Sequence, residues 1–307
     1  MLDTLSPDSR PLGGSGILVS PIAWGMWRLR NDDLAGARAL IEAALESGIN
    51  LFDTADIYGM GSPAGFGSAE AALGRVLAQA PALRDRMVIA TKGGIVPGTP
   101  YDQSPAYLEQ ALHASLRRLG LEQVDLWQIH RPDLLAHPQE TAAALERMVA
   151  SGKVRAVGVS NFTTAQVAAL ESFLTIPLSS TQPEFSPLHT DPLWDGSLDA
   201  AMARNHAVLA WSPLGGGRLG GDAQQPDGQQ EGRAEIARLL EEKGAASGVS
   251  AAAATYAWLM CHPARVIPIV GSQRAERIRE SADAYKVRWT RKEWYAVLQA
   301  GMGKRLP

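Results

Sequence analysis

Cysteine is almost absent from this chain: Cys261 is the only one in 307 residues. A lone thiol cannot build an intrachain disulfide framework, which suits a reducing compartment. Long hydrophobic runs are missing too. Charge, glycine or proline interrupts every apolar stretch before the roughly 18 residues a membrane helix needs. The opening MLDTLSPDSR has no basic n-region and no apolar h-region, so no secretion signal is expected. Nor is there an excess of charge of one sign: 29 Lys and Arg against 32 Asp and Glu leave a net charge of −3. That balance favours neither nucleic acid nor an anionic membrane as partner. The six histidines lack metal-ligand spacing, so no metal is expected. No GxGxxG follows an early strand, which counts against the doubly wound sheet that is the fold-level alternative. A cytoplasmic protein is the remaining expectation, and nothing in the sequence specifies an oligomeric state.

Apolar residues make up 46% and charged residues 20%, enough for a large core. The chain alternates short apolar runs with helical periodicity. Residues 33–47 repeat Ala35, Ala37, Leu40, Ile41, Ala44 and Leu45 near a 3.6 period, with Gly48 as a stop. Further helices are expected over 68–79 (Ser68 as N-cap), 105–119, 138–151, 163–173, 192–205, 232–243, 250–262 and 274–285, and a last one over 290–299. Strands are expected over 21–26, 50–53, 87–91, 124–129, 154–160, 180–184, 207–211 and 266–270. Runs such as MVIA, VRAVGV, AVLAW and VIPIV are apolar throughout, as strands buried on both faces must be. About eight strand–helix units imply a closed parallel (β/α)8 barrel in one domain spanning 1–307. Residues 12–20 read as a hairpin that plugs the barrel bottom, and 215–232 as a mobile Gly/Gln/Asp-rich loop.

In such a barrel the reactive groups stand at the C-terminal ends of strands. Asp53, Lys92, His130 and the pair Ser160-Asn161 occupy those positions. A buried charge needs a partner, and Asp53 and Lys92 on neighbouring strands supply one for each other. Singly, each has an ordinary reading: Asp53 as a capping carboxylate, Lys92 as a surface lysine, His130 as a satisfied polar residue, Trp211 as a core aromatic, and the arginines after 273 as a solvated helix face. Cys261 reads as a small buried hydrophobe.

Taken together, the segments FDTADIYG (52–59), GKVRAVGVSNF (152–162), QPEFS (182–186), WSPLG (211–215) and IPIVGS (267–272) resemble the aldo-keto reductases, in the family's order, from about residue 12 to about 284. The resemblance implies a catalytic tetrad of Asp53, Tyr58, Lys92 and His130. Tyr58 would protonate the carbonyl oxygen as hydride arrives, Lys92 held by Asp53 would tune it, and His130 would orient the substrate. It also implies a nicotinamide cofactor. Ser160, Asn161 and Gln182 would clamp the carboxamide, Trp211 would stack on the ring, and Ser212, Leu214, Gly215 and Arg218 would meet the pyrophosphate. Gly25, Met26, Trp27 and Asp53 would complete that surface. Ser272, Gln273, Arg274 and Arg277 would hold a 2′-phosphate, which makes NADPH the expected cofactor over NADH.

Many relatives carry Lys where this chain has Gly271; Arg274 is the compensating cation. Ser281 stands where an adenine-contacting Asn is common. The expected activity is reversible reduction of an aldehyde or ketone. Loops around Trp27, 60–66, 131–135 and 215–230 should line the pocket, and Trp27, Trp127 and Phe66 suggest an apolar or aromatic substrate. Two other functions stay open: a cofactor-binding sensor or partner protein with little turnover, and a barrel isomerase or aldolase with Lys92 as Schiff-base nucleophile.

Overall fold

The computed structural model describes Leu2 and residues 5–220 and 230–307. Two short strands, β1 (Arg10–Pro11) and β2 (Leu18–Val19), pair antiparallel around a 3-10 turn at Gly13–Ser15. Eight strands follow: β3 (Ala23–Gly25), β4 (Leu51–Asp53), β5 (Val88–Gly93), β6 (Val124–Ile129), β7 (Val154–Ser160), β8 (Leu178–Gln182), β9 (Ala207–Ala210) and β10 (Ile267–Val270). Each pairs in parallel with its chain neighbours, and β10 closes the ring by pairing with both β9 and β3. Around them lie α1 (Leu34–Glu46), α2 (Ser68–Gln79), α3 (Pro105–Leu119), α4 (Pro138–Ala150), α5 (Thr164–Glu171), α6 (Ser197–Arg204), α7 (Gln230–Ser247), α8 (Ala251–Met260), α9 (Ala275–Glu280) and α10 (Arg291–Met302). This is the expected (β/α)8 barrel.

Local chemistry sets the helix ends. Asp33 accepts from Gly36 N to start α1, Ser104 with Pro105 starts α3, and α5 and α10 open on capping boxes, Thr163/Gln166 and Thr290/Glu293. Four expectations shift. Gly67, not Ser68, caps α2: its φ is +81°, and a Cβ there would stand 2.5 Å from the Arg118 side chain, so only glycine fits. Helix α6 starts at Ser197 rather than 192, because Asp191–Leu193 forms a separate 3-10 turn and Gly196 re-aims the chain. Strand β8 runs two residues earlier than expected, since Pro183 has no N–H to continue the ladder. The α-helix after β10 covers only Ala275–Glu280 and passes into a 3-10 segment, Ser281–Lys286. Of the loop expected over 215–232, residues 221–229 lie outside the described residues.

The strands divide two apolar layers by their period-two alternation. Leu51, Val88, Ala90, Leu126, Ala156, Leu209, Ile267 and Ile269 fill the barrel interior, and Leu12, Ile17 and Val19 of the hairpin plug its base. The other face carries Trp24, Phe52, Ile89, Trp127 and Val157 against the helices. With the base sealed, one step further along the inward rows come Asp53, Lys92, Gln128, Ser160 and Gln182 at the opposite end. Trp127 is wholly buried in the outer layer, and a Cβ on Gly93 would stand 2.6 Å from its ring. It cannot line a pocket, so part of the basis for an aromatic substrate is gone. Among the described residues, no helix is long and apolar enough to cross a membrane.

Candidate active site

Lys92 projects inward from β5 with no exposure to solvent. All three ammonium donors are used: Asp53 Oδ2 at 2.7 Å, the Thr54 carbonyl at 2.8 Å and Tyr58 Oη at 3.1 Å. Burial alone would push the ammonium down, but Asp53 and the Tyr58 oxygen outweigh it and the pKa rises above its ordinary value. Lys92 is therefore a fixed cation, the opposite of the free amine a Schiff base requires. Strands β4 and β5 are neighbours in register, which brings Asp53 and Lys92 together, and the turn after β4 returns Tyr58 to the same point.

Tyr58 is half-buried. Burial raises its pKa above 10, and Lys92 opposes that without reversing it. The expected tuning by Lys92 is present in sign, yet the phenol keeps its proton at neutral pH. His130, directly after β6, meets Tyr58 edge-on with ring centroids 5.7 Å apart. Burial, then Lys92 and Arg131, hold its pKa well below 6.5, so the imidazole is neutral. Its Nδ1 is buried without a partner. Placing the single ring proton on Nε2 avoids a buried unpaired donor and leaves Nε2–H free to donate.

A second network borders the first. Gln182 Nε2 donates to Asp53 Oδ1 at 2.9 Å. Ser160 Oγ donates to the Gln182 carbonyl at 2.9 Å, and Asn161 Nδ2 donates to Ser160 Oγ at 2.9 Å and to the His130 carbonyl at 3.0 Å. Trp211 Nε1 donates to Asn161 Oδ1 at 3.0 Å, which fixes the indole plane at the barrel mouth. Asn161 is held at φ +62° and Ser212 at φ +50°, unusual for residues with side chains. Gly215, Gly216 and Gly217 all have positive φ, and nothing lies within 4 Å of a Cβ placed on Gly216 or Gly217. The Gly215 N–H is given to the Ser212 carbonyl, and the backbone at Gly216 and Gly217 is open to close approach by a ligand. Arg218 folds back to donate to the Gly215 carbonyl, and Leu214 is half-buried against the outer core.

The remaining expected cofactor residues fall into two groups. Gly25 ends β3, and Met26 after it is fully buried in the outer core, its N–H given to the Asp53 carbonyl and its carbonyl taken by Leu29 N, so Met26 is not open to the mouth as expected. Trp27 is 52% exposed there. After β10, Ser272 Oγ accepts from Arg274 N at 3.2 Å, Gln273 is half-buried and Arg274 is exposed. Arg277 lies on α9, a helix of only six residues, so side chains rather than a long helix dipole must supply any anion contact. Amide, hydroxyl, aromatic, open turn and arginine occur in the order a nicotinamide dinucleotide needs, and the residues present fit that group.

Sequence reasoning missed several residues here. Gln103 Nε2 donates to the Arg131 carbonyl at 2.8 Å, and Asp133 accepts from Gln103 N and Leu135 N, so the 131–135 loop is pinned. Arg131 sits with its Cζ 5.8 Å from the Trp211 ring centroid. Asp56 is buried beside the site with neither carboxylate oxygen bonded. Two signals were in the sequence: the 131–135 loop was expected at the pocket though none of its residues had a role, and Asp56 is a second acid inside the FDTADIYG segment that the tetrad did not use.

The family model for the aldo/keto reductase family matches residues 21–300. The chain is 56% identical over 305 residues to a 6-dehydroglucose reductase of Novosphingobium aromaticivorans, covering 99% of this chain and 98% of that protein. A 6-dehydroglucose reductase of Agrobacterium fabrum is 40% identical over 300 residues, 94% of this chain and 96% of its own length. Among solved structures, the glycerol dehydrogenase of Gluconobacter oxydans superposes with a TM-score of 0.82 at 28% identity, covering 96% of this chain and 95% of that one.

Proposed function

The chain belongs to the aldo/keto reductase family and is an oxidoreductase acting on carbonyl or alcohol groups, and from that premise we propose that it reduces the aldehyde of a sugar-like substrate such as 6-dehydroglucose with NADPH. The observation that carries the reading is the Tyr58–Lys92–Asp53 chain of short contacts at the barrel mouth, with neutral His130 beside it.

Ser160, Asn161 and Gln182 would hold the carboxamide, Trp211 the ring face, and Ser212 to Arg218 the pyrophosphate. When bound, the dinucleotide supplies the hydride that the carbonyl carbon accepts. The protein's own groups manage the oxygen. His130 Nε2–H donates to the carbonyl oxygen and orients it. As negative charge grows on that oxygen, Tyr58 gives up its phenolic proton and the alcohol forms. The phenolate left behind stands 3.1 Å from Lys92 Nζ, a cation that does not have to move to stabilise it. Asp53 fixes Lys92 in place, and water restores the phenol proton. The oxidation of an alcohol runs through the same groups in reverse.

Two observations favour a hydroxylated substrate over an aromatic one. Trp127 faces the outer layer, and Phe66 lies under the Arg118 guanidinium, 5.6 Å from Cζ to ring centroid. Arg131, His130 and the exposed edge of Trp27 border the mouth instead, a set suited to hydroxyl groups and a sugar face. Both 6-dehydroglucose reductases align over nearly the whole chain, which supports the same class. The test is nicotinamide absorbance under turnover with NADPH and NADH, offering 6-dehydroglucose beside aromatic aldehydes. Preference for the sugar aldehyde with NADPH is expected. Faster turnover of aromatic aldehydes, or of NADH, would refute the corresponding half.

A further inference from the structure

One cation at the barrel mouth has no role in the reaction outlined above. Arg28 follows β3 on an exposed turn, and its Cζ lies 4.6 Å from the centroid of the Trp27 ring. Its Nη2 donates to the Gly271 carbonyl at 2.9 Å. Among the described residues no carboxylate pairs with it. A guanidinium has five N–H donors; one is spent on a neutral carbonyl, and the charge is unmatched by the protein. Held by an aromatic face on one side and a carbonyl on the other, it is pre-organised at little further entropic cost.

Gly271 supplies an independent observation. Strands β3 and β10 pair in register, Ala23 with Ile269 and Trp24 with Val270, so the turns that follow them are neighbours. A Cβ built on Gly271 lies 3.4 Å from Trp27 Nε1. Trp27 thus borders the side on which any side chain at 271 would extend, and a long basic residue there would have to displace it. The segment after β10 keeps Ser272, Gln273 and Arg274 as donors, and Arg28 reaches onto the same segment from the opposite turn.

We propose that Arg28 is a phosphate ligand of the dinucleotide cofactor, delivered from the turn after β3 to the place where position 271 offers no side chain. The proposal rests on the nicotinamide-cofactor reading above. A planar fork bonded to the Gly271 carbonyl can present its other edge to two phosphate oxygens, the geometry in which arginine surpasses lysine. The ligand chemistry is a phosphate oxygen, and either the 2′-phosphate or the pyrophosphate can provide it.

The experiment is a titration of intrinsic tryptophan fluorescence with NADPH and with NADH, without substrate, on the wild type, Arg28→Gln and Arg28→Lys. Arg28→Gln removes the charge and keeps a shorter polar side chain, and Arg28→Lys keeps the charge without the planar fork. Arg28→Gln should raise the Kd for NADPH about tenfold or more, as loss of a charged hydrogen bond does. Arg28→Lys should recover part of that, and the gap between wild type and Arg28→Gln should shrink with added salt. Weakened NADPH with unchanged NADH assigns the 2′-phosphate; equal weakening assigns the pyrophosphate. Arg28→Gln binding both cofactors as tightly as wild type overturns the proposal. So does weakening that neither Arg28→Lys nor salt alters, since that marks a prop for the 271 turn. A wild type that binds neither cofactor would instead sink the cofactor reading itself.

Discussion

Asp56 offers a perturbation whose size follows from its surroundings. Its side chain is 1% exposed and neither carboxylate oxygen has a partner. Glu70 on α2 faces it, already committed to Thr91 Oγ1 at 2.5 Å and Arg118 Nε at 2.7 Å. Arg118 and Tyr107 on α3 and Lys92 on β5 are the other ionisable groups near it. Burial first, then the repulsion of Glu70, pushes Asp56 from 3.8 up to about 8, against the weaker pull of Arg118, the nearby Ile57 backbone N–H and Lys92. The folded protein therefore binds this proton more tightly than the unfolded chain does. Its stabilising contribution is complete below about pH 4, falls by up to roughly 1.4 kcal/mol per pH unit above that, and is gone beyond about pH 8. The full span would be roughly 6 kcal/mol; relaxation and water penetration bring the expectation to about 2 to 3 kcal/mol. Asp56→Asn keeps the shape and removes the titration. Urea denaturation at about pH 5, 7 and 9 should show the variant gaining on wild type as pH rises, with most of the gain in place by about pH 8. A stability difference that stays constant across that range would refute the reasoning.

The reaction and the cofactor give further expectations. Tyr58→Phe should lose carbonyl reduction by several orders of magnitude while NADPH binding, read by fluorescence, stays within about twofold, because only the proton donor is removed. Lys92→Met strips Asp53 of its buried cation and should cost about 3 to 5 kcal/mol in chemical denaturation; adding Asp53→Asn should recover much of it, and a double variant no more stable than the single would count against the pair. Arg274→Ala should raise the Kd for NADPH about tenfold with little change for NADH, and equal weakening of both would remove Arg274 from the 2′-phosphate. Since His130 is held well below 6.5, kcat/KM should not fall between about pH 7 and 6 as an ordinary histidine would make it; an acid limb near 6.5 that disappears in His130→Gln would contradict the neutral imidazole.

The barrel was readable because its signals are local and repeated. A strand buried on both faces must be apolar along its length, and runs such as VRAVGV can hardly be anything else. The polar ends of those strands were readable for the complementary reason: Asp53, Lys92 and Ser160 interrupt an apolar row where an unpaired charge would be intolerable. Which face a side chain takes was not readable where both faces are buried. Trp127 and Gln128 are adjacent on β6 and equally hidden, yet one packs under the helices and the other points into the barrel. Only the register with β5 and β7 decides between them, and register is a property of pairs of strands. The N-cap of α2 and the start of α6 were misread where a left-handed glycine set the boundary, at Gly67 and Gly196, since the reason is the close approach of Arg118 in one case and the exit from a 3-10 turn in the other. Arg28 was invisible for a related reason. In sequence it is one more exposed arginine, and it acquires meaning only when β3 and β10, more than two hundred residues apart, close the ring and bring it to the bare position at Gly271.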